Sequence, residues 1–133
     1  MVKRRAQRRA MPYLVGIPIP YLDRSGKRLR PSRVKSWIKK AALELTDCFG
    51  GATPVPAPGV NIVGGQVLYE KGQVLVLSAC ESREAFLPYR EKIAVFAERM
   101  GEALDQDAVF LLAFSSDSLL IELPETPGET RNE

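Results

Sequence analysis

The 133-residue chain contains no histidine. That absence excludes the Cys/His zinc patterns and a Cys–His nucleophile, and it removes the commonest proton shuttle of enzyme sites. Cysteine is almost as scarce, since Cys48 and Cys80 are too few for a disulfide scaffold. No apolar run approaches the ~20 residues that a membrane-spanning helix needs, so no membrane partner is expected. The opening stretch MVKRRAQRRAMPYLVGIPIP is basic, and Pro18 and Pro20 interrupt its apolar part. A secretory signal needs an unbroken apolar region of about 7–15 residues, so a cytoplasmic location is the expectation by elimination. No GxxxxGK[ST] loop is present either, and no cofactor is expected.

Acidic residues are scarce at one end only. Residues 1–40 hold 13 Lys/Arg against the single acid Asp23, a balance of +12, while residues 41–133 hold 6 basic residues against 15 acids, a balance of −9. Such a split marks a contact with nucleic acid or another anionic surface, or opposite charges that pair across the fold. Met11 opens a second plausible start, MPYLVGIPIP, so the five basic residues before it carry less weight than the eight in Arg24–Lys40.

A chain of this length buries roughly two-thirds of its unfolded surface, enough for one core. Three segments are expected: a disordered basic arm over 1–10, one domain over 11–123 and a disordered acidic tail over 124–133. Within the domain, Tyr13–Ile19 reads as a strand. Its prolines require either an end near Ile17 or an unpaired side. Pro31 opens a helix to about Phe49, because Val34, Trp37, Ile38, Ala41, Ala42, Leu45, Cys48 and Phe49 fall on one stripe of helical period. Gly50 and Gly51 end it with a left-handed cap.

Residues 50–65, rich in Gly and Pro, read as a long loop. Gln66–Cys80 reads as a hairpin turning at Lys71 and Gly72. Ser82 is placed to cap a second helix whose buried stripe is Tyr89, Ile93, Phe96, Ala97, Met100 and Leu104. Strands over Ala108–Phe114 and Leu119–Leu123 complete the order. The fold class expected is therefore α+β, a ferredoxin-like two-layer sandwich of βαββαβ plus an extra C-terminal strand.

The glycines of 50–65 follow a helix C-terminus, whereas a phosphate cradle precedes a helix N-terminus. A ligand loop there is the weaker alternative to an ordinary connection. Cys80 sits just before a helix, where a thiol pKa can fall, but a small buried apolar side chain is the plainer account. Glu70, Glu81, Glu84 and Glu91 form no acidic constellation and read as solvated surface. An enzyme is not the expectation. The remaining candidates are Arg28, Arg30, Arg33, Lys35, Lys39 and Lys40, a basic face of the first helix and its approach. Cations crowding a helix N-terminus oppose the macrodipole, and a bound anion relieves that conflict. The strand QVLVLSAC has no aromatic and no RNP signature is present, so phosphate-backbone contact with little base reading is the mode expected.

The succession PYLVGIPIP, DCFGGATPVPAPGV, GQVLYEKGQVLVLSA and LDQDAVFLLAF resembles a group of short uncharacterised bacterial and phage-encoded proteins, over about residues 11–114. The resemblance implies a ferredoxin-like fold and brings no activity with it. Two functions follow as expectations. The first is a non-catalytic nucleic-acid-associated module using the six cations. The alternative is a protein-interaction or homodimerisation module, since two helices on one side of a sheet leave its other face and its edges uncovered.

Overall fold

The computed structural model describes residues 6–63 and 65–124; the rest of the expected arm (1–5) and most of the expected tail (125–133) lie outside the described residues. Its centre is a four-stranded antiparallel sheet of β2 (Tyr13–Ile19), β3 (Thr53–Pro56), β6 (Val74–Cys80) and β7 (Leu112–Ser115), in the order β3-β6-β2-β7. Helices α1 (Pro31–Phe49) and α3 (Arg90–Ala103) cover one face, making an α+β sandwich. Two further two-stranded ribbons are present, β1 (Gln7–Ala10) with β8 (Leu119–Glu122), and β4 (Gly59–Val63) with β5 (Gln66–Glu70).

The strict alternation of β2 explains which face is buried. Tyr13, Val15, Ile17 and Ile19 point to the helices and are buried, with Val76 and Cys80 of β6 beside them. Successive side chains of a strand alternate faces, so Leu14, Gly16 and Pro18 lie on the opposite side. The ladder to β7 spans only Tyr13–Gly16, which leaves one side of β2 unpaired at Pro18. The strand therefore reaches Ile19 despite its prolines.

Helix α1 has the predicted bounds, with Pro31 in its first turn and Gly50 at φ 89° closing it. It runs antiparallel to α3. The Trp37 and Phe96 rings meet edge to face at 5.7 Å, and Lys92 Nζ pairs with Asp47 at 2.6 Å near the other end. The second helical region is in three parts. Ser82 Oγ accepts from the Ala85 N–H at 3.1 Å and caps α2 (Arg83–Phe86), a 3-10 turn holds Pro88, and α3 follows. Leu45, Ile93, Met100 and Leu104 fill the space between helices and sheet.

Four expectations change. Residues 50–65 are not one loop, because they contain β3 and β4. Gln66–Cys80 is not a hairpin: β5 pairs with β4, and β6 lies between β3 and β2. The physical reason is that Pro54 and Pro56, two apart, lack donors on the same side, and β3 occupies a sheet edge where that side meets no ladder. The strand expected over Ala108–Phe114 is ordered as β7 only from Leu112 to Ser115. Of the basic arm, Gln7–Ala10 forms β1, antiparallel to β8.

Candidate functional site

The segment leaving β2 turns back on itself through an isolated bridge between Leu22 and Arg28. Asp23 builds this turn. Its Oδ1 accepts from the backbone N–H groups of Ser25 and Lys27 at 2.9 and 3.0 Å, and the Ser25 hydroxyl holds its carboxyl below the usual range. The end of β5 reaches the same place. Glu70 is only 5% exposed, and its Oε1 accepts from the N–H groups of Tyr21 and Leu22 at 3.3 and 3.2 Å. A carboxylate taken from water needs such donors, because an unsatisfied buried charge is costly.

Glu70 corrects the reading of all four glutamates as solvated surface. Among the described residues it is the buried charged side chain. No spacing in QVLYE announces this. The alternation that exposes Val67 and Tyr69 does leave Glu70 facing inward.

The ring of Tyr21 completes the junction. The Arg28 guanidinium stands 5.3 Å from its centroid, and Gly72 lies against the ring so closely that an added Cβ would overlap it. Gln73, at the start of the next segment, donates from Nε2 to the Ala57 carbonyl at 3.2 Å, while its backbone N–H bonds the Glu70 carbonyl. Tyr21, Arg28, Glu70, Gly72 and Gln73 thus meet at one end of the sheet. The junction combines an anion, a cation and an aromatic ring, a set suited to a small zwitterionic or cationic ligand.

The six predicted cations divide among several places. Arg28 belongs to the junction just described. Arg33 donates to the Ala103 carbonyl at the end of α3, and Lys40 Nζ lies 4.4 Å from the Trp37 ring centroid; both stand along the seam between the helices. Arg30, Lys35 and Lys39 are exposed, and Lys35 and Lys39 lie one turn apart on the other flank of α1. Arg24 pairs with Asp105 at 2.7 Å and Asp107 at 3.5 Å, so part of the charge split is resolved by pairing across the fold.

Both cysteines are free, and burial pushes both thiols up. Cys80 lies in the core, where its Sγ–H donates to the Ser82 carbonyl at 3.4 Å. A groove of about 370 Å³ runs beside α3, lined by Ala97, Gly101, Glu98, Glu102, Asp107 and Val109 among others. No group of three or more cysteine or acidic side chains among the described residues is arranged to hold a metal ion. No described helix is long and apolar enough to cross a membrane.

No protein-family model matches the sequence, and neither does any curated protein. Solved structures do match. The chain is similar to a phage SAM lyase in its apo state with a TM-score of 0.57 and 15% identity, over 86% of this chain and 91% of the lyase chain. It is similar to a phage SAM lyase in complex with S-methyl-5'-thioadenosine with a TM-score of 0.58 and 15% identity, over 93% of this chain and 97% of that one. At this identity the likeness shows a shared fold, running nearly end to end in both chains.

Proposed function

We propose that this chain binds a nucleoside of the SAM class, a sulfonium or its thioether product, at the junction around Glu70. The observation that carries the reading is the nearly end-to-end likeness to a lyase structure that holds S-methyl-5'-thioadenosine. The junction supports it chemically. A sulfonium cation is favoured beside the Glu70 carboxylate and an aromatic ring, and the Arg28 guanidinium suits the ligand's carboxylate. The same proposal takes the fold as ferredoxin-like. The core order is β2, α1, β3, β6, α3, β7, with the β4–β5 ribbon inserted between β3 and β6 and the β1–β8 ribbon added beyond. The phage source of both structural neighbours fits the resemblance to short bacterial and phage-encoded proteins.

Calorimetric titration with SAM and with S-methyl-5'-thioadenosine tests the reading. Saturable binding of either one, weakened at least tenfold by Glu70→Gln, is the expected result. No heat and no rise in melting temperature at millimolar ligand would overturn it, since a ligand at 100 times its Kd stabilises by about 2.7 kcal/mol.

A second reading, contact with a nucleic-acid backbone, is favoured by Arg30, Lys35 and Lys39, which are exposed and have no ion-pair partner among the described residues. A salt series on labelled duplex and single strands tests it. Affinity that falls steeply between 50 and 200 mM salt is expected if phosphates are neutralised, and salt-independent or absent binding removes the reading.

A further inference from the structure

The two edges of the central sheet are not alike. On β3, Pro54 and Pro56 lack donors and blunt the edge. The other edge is β7, and nothing among the described residues pairs with its outer side. The backbone that leads into it, residues 107–111, makes no hydrogen bond to any described residue. Parity shows which groups stand free. The Ser116 N–H donates to the Pro12 carbonyl, and in an antiparallel pair the residues that bond the partner alternate with those that turn away. In the register of β7 with β2, Phe114 and Leu112 therefore face β2, while Leu111, Ala113 and Ser115 turn their N–H and C=O groups outward.

A groove of about 370 Å³ lies along this edge, between residues 106–111 and α3. Its apolar walls include Ala94, Ala97, Gly101, Val109 and Leu111, all buried or half-buried. Glu98, Glu102 and Asp107 also line it, and no Lys or Arg does. Asp107 shares Arg24 with Asp105, whereas Glu98 and Glu102 are exposed and stand in no ion pair among the described residues.

We propose that the β7 edge takes up an extended basic segment of another protein as a fifth strand. Main-chain hydrogen bonds to the outward groups of Leu111, Ala113 and Ser115 hold it, as in other strand additions. Alternate side chains of the added strand then point into the groove under α3. Charge selects the occupant. A lysine or arginine lays its aliphatic stem on the Ala97, Gly101 and Val109 surface and carries its cation out to the carboxylates. Spacing agrees: Glu98 and Glu102 are one helical turn apart, about 6 Å, and alternate residues of a strand are about 6.7 Å apart. An acidic segment would meet three like charges without a counter-charge in the groove wall.

The probe is an end-blocked, fluorescein-labelled octapeptide of alternating lysine and valine, titrated with the full chain at 50 mM salt and read by anisotropy. Saturable binding with a Kd below about 100 μM is expected, and the matching glutamate–valine peptide should not bind. Glu98→Lys and Glu102→Lys are each expected to weaken binding at least about tenfold. Ala113→Pro, which removes an outward N–H and no bond to β2, should do the same. Glu84→Lys, the same charge change at an exposed position on α2, leaves the affinity within about threefold. If Ala113→Pro fails to fold, a peptide N-methylated at alternate residues replaces it and should bind at least tenfold more weakly. No binding at millimolar chain would overturn the proposal. Equal losses in Glu84→Lys and Glu98→Lys would overturn it in favour of diffuse charge attraction. Binding that survives both Ala113→Pro and N-methylation would overturn the added strand. Dimerisation of the chain alone in sedimentation velocity, abolished by Ala113→Pro, would overturn it by giving the edge to a second copy. None of these results bears on whether SAM binds.

Discussion

Replacing Glu70 separates its part in the fold from any part in ligand binding. The carboxylate ties the segment after β2 to the end of β5 through two backbone N–H donors at 3.3 and 3.2 Å, across 49 and 48 positions of sequence. Hydrogen bonds to a charged acceptor contribute about 1.5–3 kcal/mol each, and these two are long, which places them at the low end. In Glu70→Leu both N–H groups lose their acceptor, and the expected loss is about 2–4 kcal/mol. Glu70→Gln keeps an acceptor oxygen in reach of the two N–H groups and replaces the other carboxylate oxygen by a neutral NH2 donor, so about 1 kcal/mol is expected. For a domain of this size 1 kcal/mol moves the melting temperature by roughly 3–5 °C. The leucine variant should therefore melt about 6–20 °C below the parent and the glutamine variant only a few degrees below. Thermal unfolding followed by circular dichroism, with urea titration at 25 °C as a check, reads both. A leucine variant as stable as the parent would refute the claim that this carboxylate holds the turn.

Other substitutions test neighbouring parts of the account. Gly72→Ala forces the Tyr21 ring from its place and is expected to cost about 1–3 kcal/mol as overpacking; unchanged urea stability would show that the ring moves freely. Ser82→Ala removes the acceptor for the Ala85 N–H and should cost about 1 kcal/mol, with a cost near zero contradicting the cap. The Cys80 thiol, pushed up mainly by burial, should react with a thiol reagent at pH 8 at least about tenfold more slowly than a free cysteine, because only the thiolate attacks. A rate equal to that of the free amino acid would contradict its packing.

The local elements were legible where one residue sets one boundary. The stripe from Val34 to Phe49, with Pro31 and Gly50 at its ends, identifies α1 without any tertiary information, and Ser82 marks its helix start equally well. What stayed hidden was pairing. Lys71 and Gly72 look like a hairpin turn, yet β5 turns towards β4 because the Gly- and Pro-rich stretch before it is also extended. The alternate prolines of TPVP carried that signal, by the same donor logic that applies to Pro18 in β2.

The site was less legible, for a physical reason. Charge counting finds cations but not what they touch. Arg33 and Lys40 lie along a helix seam, Arg28 lies over a ring, and only tertiary structure could show it. Nothing in the sequence singles out Glu70, because a glutamate at a strand end is usually solvated. Its burial depends on Tyr21 and Leu22, some fifty residues away.

The most direct test of the ligand reading is thermal unfolding of the purified full chain against rising concentrations of SAM and of S-methyl-5'-thioadenosine. A rise in melting temperature that saturates with ligand is expected, and Glu70→Gln, measured against its own ligand-free melt, should need at least about tenfold more ligand for the same rise. An unchanged melting temperature at millimolar concentrations of both compounds would contradict the account.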